Sequence, residues 1–314
     1  MFQFLKPYNL FTMLKKPVFY LISAIIISSC ATKNPYKTTE KVYDQQLKTL
    51  ETQIASKEVQ PIPVVSPVII DTTYASQLGI VKDSLSKTGS TPLLNGVNTE
   101  WVGTVNFNLR KPSFIIIHHT AQDSLQQTIS TFIKAKTQVS AHYIIAENGK
   151  VVQMLNDYLR AWHAGASTWG KNTDLNSSSI GIELDNNGFE PFSEAQISSL
   201  VALLTKLKKD YNIPTQNILG HSDIAPGRKQ DPSALFPWKT LAEKGFGIWP
   251  DPILEEAPFD FKIEQALRII GYNTKNLSAA IMSFKLHYIQ TDTTATLDRK
   301  TIDTIYSIYK KQLQ

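Results

Sequence analysis

The sequence predicts an α/β fold in which a mixed central sheet is flanked by helices and followed by a small three-helix domain. Two observations predict it. Between residues 114 and 221, short apolar runs that suit buried strands alternate with segments of helical periodicity, the pattern of one sheet packed against helices. Beyond Trp249 the cluster Pro250, Pro252 and Pro258 breaks the chain, and three amphipathic stripes follow at helical spacing, enough for three short helices to bury one another. A length of 314 residues agrees with more than one folded unit, at ~100–200 residues per domain.

In chain order, the first element is an address. Lys15 and Lys16 precede the apolar run PVFYLISAIII, which stops at ISSC, residues 27–30. A basic start, an apolar stretch too short to span a bilayer and then small residues make a signal-peptide layout, since a span needs roughly 20 apolar residues. Met13 would give this peptide a tidier start than Met1. Ser28 and Ser29 before Cys30 resemble the bacterial lipobox, whose cysteine becomes the lipidated first residue of the mature protein. Residues 1–30 are therefore expected to be a lipoprotein signal peptide, with the protein anchored at Cys30 to a membrane of the bacterial cell envelope. In a Gram-negative source this would be the outer membrane, facing the periplasm. Residues 31–98 are rich in Thr, Ser, Lys, Gln and Pro, with Pro61, Pro63 and Pro67 close together. Apolar positions there are too sparse for a core, so the stretch is expected to be a polar tether, with a short polar helix over 40–58.

The α/β domain is expected over 99–249. FIII, residues 114–117, suits a buried strand, and Leu125, Ile129, Phe132 and Ile133 follow at helical spacing. HYIIAENGKVVQML, residues 142–155, reads as two strands around Asn148-Gly149, a dipeptide that accepts the positive φ of a tight turn. SIGIEL, residues 179–184, is another strand. Ser193 and Gln196 form a capping-box pattern ahead of Ile197, Leu200, Val201, Leu204 and Leu207, a helix expected to pack across the sheet. NILGH, residues 217–221, closes the set and enters a polar loop. In the tail, 256–314, the stripes are Ile263, Ala266, Leu267 and Ile270; Leu277, Ile281, Phe284 and Tyr288; and Ile302, Ile305, Tyr309 and Leu313.

Composition excludes some functions and narrows others. The net charge is +5, and no dense Lys/Arg stripe interleaves with aromatics, so nucleic acid finds no binding signature here. Cys30 is the one cysteine, which rules out an intrachain disulfide or a multi-thiolate zinc site. A zinc site would have to use His and carboxylates. His118 ends an apolar strand, His221 opens a loop, and Asp231 lies ten positions further on. Two imidazoles and a carboxylate can hold Zn²⁺, offsetting one of its two charges, with an open fourth position for water. Read alone, the three residues fit equally well two structural histidines and an Asp that caps a turn. His142 reads as a structural histidine, and His287, on a tail helix, as structural or exposed.

Five segments in order carry more: IIIHHTA (115–121), VSAHY (139–143), RAWHAG (160–165), SIGIELDN (179–186) and GHSDIAPGRKQDP (220–232). Together they closely resemble the amidase-2 family of N-acetylmuramoyl-L-alanine amidases, related in fold to peptidoglycan recognition proteins. The resemblance covers about residues 101–248, and the tail segment IEQALRIIGYNTKNLSAAIMSFKLHY resembles the helical peptidoglycan-binding modules that follow such amidases. The resemblance implies zinc held by His118, His221 and Asp231, with Glu183 as general base or acid and Lys229 stabilising the oxyanion. It implies a peptidoglycan or muropeptide substrate, cut between N-acetylmuramic acid and L-alanine. Arg160, Trp162, His163 and Arg228 are expected to contact substrate, since Arg can hold a stem-peptide carboxylate and Trp can stack on a sugar face. His119, where related enzymes often carry Tyr or Asn, is a neighbour that would compete as a ligand. Two alternatives stay open on the residues alone: a recognition module that does not cut, and a zinc peptidase acting within the stem.

Overall fold

The computed structural model describes residues 37–56, 78–79, 81–83 and 111–314. The expected signal peptide, Cys30 and most of the expected tether lie outside the described residues. Within the tether, α1 (Lys37–Ser56) is the expected polar helix. No helix among the described residues is long and apolar enough to cross a membrane.

From residue 111 the elements alternate as expected. They are β1 (Phe114–His119), α2 (Leu125–Phe132), β2 (Tyr143–Ile145), β3 (Val151–Gln153), β4 (Ser179–Leu184), α3 (Glu194–Tyr211), β5 (Ile218–Gly220), and two short helices, α4 (His221–Ile224) and α5 (Trp238–Glu243). The tail adds α6 (Ile263–Ile270), α7 (Leu277–Tyr288) and α8 (Arg299–Gln312). The five strands form one sheet in the order β3-β2-β4-β1-β5. β2, β4, β1 and β5 run parallel, and β3 pairs antiparallel with β2 at the edge. The β2–β3 turn has Gly149 at φ 82, as the Asn148-Gly149 dipeptide suggests.

Strand side chains alternate between the two faces of the sheet, and here the two faces do different work. On one face Ile115, Ile117, Ile180, Ile182 and Leu184 meet Leu200, Leu203, Leu204 and Leu207 of α3, with Phe236, Trp238 and Leu241. Each such buried aliphatic side chain contributes ~1.5–3 kcal/mol. Ser193 caps α3 by accepting the Gln196 N–H at 3.0 Å, but the reciprocal half of the box is absent. Gln196 instead donates through Nε2 to the Ile145 and Asp185 carbonyls, at 2.9 and 3.1 Å, which ties the helix start to the strand ends. The stripe on α2 gives the expected helix, in which Thr128 is the buried residue and the flanking Ile133 is about half exposed.

The opposite face is covered partly by the tail. Ile116 and Leu219 of the sheet share one core with Leu267, Ile270, Tyr272, Ile281, Phe284, Ile305 and Ile308. The three tail stripes therefore do bury one another, and they also close over the sheet, so the tail's core is continuous with that of the α/β unit. Leu313, the last position of the third stripe, is 61% exposed.

Candidate metal centre

In parallel sheets, ligands sit beyond the carboxyl ends of the strands. β1 and β4 deliver their last residues there in register, His118 opposite Glu183. Both share a sheet face with Ile116, Gly181 and Ser179, two and four residues back. β5 ends one residue before His221, and the loop beyond returns Asp231, whose carbonyl accepts the Ser222 N–H at 2.8 Å. That backbone bond clamps the two ligand-bearing segments together. His118, His221 and Asp231 are all buried, and a ligand atom from each lies within 4.8 Å of the other two.

The hydrogen bonds behind the imidazoles determine which nitrogens are bare. His221 Nε2 faces the Ala164 carbonyl at 3.1 Å; a carbonyl only accepts, so Nε2 carries the proton and Nδ1 is a lone pair. For His118 the chain is longer. Ser179 Oγ–H donates to the Leu175 carbonyl at 2.5 Å, so Ser179 Oγ accepts from His163 Nε2–H at 3.1 Å. This leaves His163 Nδ1 to accept from His118 Nε2–H at 3.0 Å. His118 Nδ1 is therefore bare as well. The two Nδ1 atoms are 2.9 Å apart, and each is 3.1 Å from Asp231 Oδ2. Three acceptors brought so close repel one another unless a cation lies among them. Tetrahedral zinc, with bonds of ~2.0–2.1 Å, spaces neighbouring ligand atoms by ~3.3 Å, so the donor set fits that ion. Burial, then the neighbouring His221, lowers His118 to about 4, which keeps its imidazole neutral and free to coordinate.

Glu183 completes the cleft. Its Oε1 lies 4.0 Å from His118 Nδ1, and its Oε2 is buried without a hydrogen-bond partner. Burial, followed by the charge of Asp231, raises the carboxyl to about 8, against an opposing pull from Lys229. Lys229 is half-buried, and its charge reaches His118, His119 and Glu183.

The residues expected at the substrate fall in several places. His163 is buried and stands behind His118, so its side chain supports that candidate ligand from the rear. Gly181 makes room for it: a Cβ there would meet the His163 ring at 2.4–2.7 Å. Arg228 donates to the Ala164 and Ala166 carbonyls at 2.7 and 2.8 Å. Arg160 pairs with Asp174 at 3.0 Å on the surface. Trp162 is 51% exposed. His119 stays outside the ligand cluster, with its Nδ1 accepting the Ser233 N–H at 3.3 Å. His142 is structural, its ring tied to the Leu159 carbonyl and the Gly181 N–H, each at 3.0 Å. Sequence reasoning passed over Ser179, Gly181 and Asn176, whose Oδ1 accepts the N–H groups of His163 and Ala164. Of these, Gly181 carried a usable signal, because a lone glycine inside an apolar strand marks a close approach.

Comparison with known proteins agrees with this geometry. The profile of the family described as N-acetylmuramoyl-L-alanine amidase, Amidase_2, matches residues 108–234. The N-acetylmuramoyl-L-alanine amidase AmiD of Escherichia coli is 36% identical over 206 residues, covering 55% of this chain and 74% of that protein. The 1,6-anhydro-N-acetylmuramyl-L-alanine amidase AmpD of Haemophilus influenzae is 43% identical over 103 residues, 32% of this chain and 56% of that protein. Among solved structures, E. coli AmiD in complex with anhydro-N-acetylmuramic acid-L-Ala-D-gamma-Glu-L-Lys superimposes with a TM-score of 0.59 at 29% identity, covering 71% of this chain and 98% of that one. AmpDh3 of Pseudomonas aeruginosa gives a TM-score of 0.60 at 26% identity, covering 71% and 99%. The chain belongs to the amidase-2 family of N-acetylmuramoyl-L-alanine amidases.

Proposed function

We propose that this enzyme hydrolyses the amide between the lactyl group of N-acetylmuramic acid and the L-alanine of the stem peptide, with zinc held by His118, His221 and Asp231. The observation that carries the metal is the convergence of two bare Nδ1 atoms and a carboxylate oxygen at about 3 Å. Bound there, zinc would lower the pKa of water to about 7 and polarise a carbonyl. The remaining work falls to side chains. Glu183, whose carboxyl burial raises to about 8 and a bound cation would lower, takes a proton from the attacking water and hands it to the departing amine. Lys229 places an ammonium where the carbonyl oxygen gains negative charge. The substrate class is supported by the AmiD relative, which was captured with an anhydromuramyl tripeptide. Product analysis tests bond and metal together. Mass spectrometry of digested sacculi should show free stem peptides beginning at L-alanine, and chelation should abolish them; products cut inside the stem, or persistent release without metal, would refute the reading.

The layout before Cys30 further supports attachment to an envelope membrane through a lipid on that cysteine. Cys30→Ser should move the protein from the membrane pellet to the soluble fraction, and equal sedimentation of the two forms would count against the anchor.

A further inference from the structure

Asp223 is wholly buried on the same short helix as His221. Its Oδ2 accepts the Gly220 N–H at 2.7 Å and faces His287 Nδ1, also at 2.7 Å. Its Oδ1 accepts the Tyr272 hydroxyl at 2.6 Å. A carboxylate offers only acceptors, so His287 Nδ1 carries the proton and donates. Burial, then the charge of Asp223, raises the Tyr272 hydroxyl well above its usual value, so it remains a donor. Tyr272 follows α6 and His287 lies on α7; both belong to the tail.

The Gly220 N–H belongs to the residue immediately before His221, in the peptide that joins Gly220 to Leu219. Gly220 is itself hemmed in, since a Cβ there would come within 2.9 Å of Pro232, the residue after Asp231, and within 3.2 Å of Trp238. Trp238 stacks on the His287 ring at 3.9 Å with 16° between planes. The tail also grips the far end of the ligand loop: Gln290, just after α7, donates to the carbonyls of Ala234 and Phe236, at 2.8 and 2.6 Å. In the middle of that loop, a Cβ on Gly227 would touch Ala279 of α7 at 3.0 Å. The start, middle and end of the segment that presents both His221 and Asp231 thus rest on the tail helices.

We propose that the C-terminal helices brace the metal loop, with Asp223, Tyr272 and His287 as positioning residues that hold His221 at its ligand spacing. The proposal rests on reading His118, His221 and Asp231 as the zinc site, and it gives the tail a task that needs no contact with glycan.

The test uses the full chain and zinc alone as probe, with affinity read by competition against a chromophoric chelator and folding read by thermal melting. Tyr272→Phe and His287→Leu remove one donor each, and His287→Asn keeps an N–H at the Nδ1 position. Ile305→Ala loosens the same apolar core without removing a hydrogen bond to Asp223. Removing a hydrogen bond made to a metal ligand itself weakens metal binding by about 10–100-fold; Tyr272 and His287 act through Asp223, so a loss of up to about 10-fold is expected from each. The expected result is that loss in Tyr272→Phe and His287→Leu, recovery in His287→Asn, and near wild-type affinity in Ile305→Ala despite a lower melting temperature. On a soluble muramyl peptide, KM should stay constant while kcat follows zinc occupancy. Unchanged zinc affinity in Tyr272→Phe and His287→Leu, or an equal loss in Ile305→Ala, would overturn the brace while leaving the zinc site standing. A wild-type chain that binds no zinc would refute the zinc reading, and the brace with it.

Discussion

Glu183→Gln is expected to lower kcat on a muramyl-L-alanine amide by about 10²–10⁴, the usual contribution of a positioned acid–base group, with zinc content and KM unchanged. The exchange is nearly isosteric, and Oε2 has no hydrogen-bond partner to lose, so the fold should tolerate it. What disappears is a proton acceptor 4.0 Å from the metal-facing nitrogen of His118. The pH profile gives an independent check. Burial and the Asp231 charge hold the carboxyl up at about 8, and a bound cation beside it would pull it down. As pH falls through whatever value results, Glu183 protonates and can no longer accept, so wild-type kcat falls on the acid side. That limb should vanish in Glu183→Gln. A variant with wild-type kcat would remove Glu183 from the reaction.

The parts of this site that were readable in the sequence share a physical reason: their roles depend on local position. His118 ends an apolar strand, Glu183 sits in the matching place on SIGIEL, and His221 and Asp231 flank a turn-rich loop. Strand parity then puts His118 and Glu183 on one face. The order of strands was less accessible, since pairing β1 between β4 and β5 depends on contacts across 60 to 100 residues. The same limit hid the true place of His163. RAWHAG gives no sign that the ring will turn inward over Gly181, because the cavity that receives it belongs to another strand. His287 could be read as structural, yet its partner Asp223 lies 64 residues upstream, and nothing local to either residue announces the pair. On α2 the helical spacing of Leu125, Ile129, Phe132 and Ile133 did give the helix, Leu125–Phe132, but spacing alone does not set depth: Ile133 is about half exposed.

Asp231→Ala should abolish activity, with a loss of roughly 10³-fold or more, as follows when several kcal/mol of metal stabilisation are removed from the transition state. Asp231 is the anionic member of the cluster, lying 3.1 Å from both Nδ1 atoms. Without it two neutral imidazoles remain, too few donors for a site of three protein ligands, and neither offsets the ion's charge. Zinc content measured by atomic emission should fall from stoichiometric to background. Stability separates this outcome from simple unfolding. The clamp between the two segments is a backbone bond, Ser222 N–H to the Asp231 carbonyl, and it survives the substitution. The variant also loses a buried carboxylate whose company was acceptors. Its metal-free melting temperature should therefore stay near that of the metal-free wild type. Added zinc should stabilise the wild type by about 2.7 kcal/mol at a hundredfold excess over Kd and leave Asp231→Ala unmoved. A variant that still gains stability from zinc would show that the ion is held elsewhere, and the assignment of Asp231 would fall.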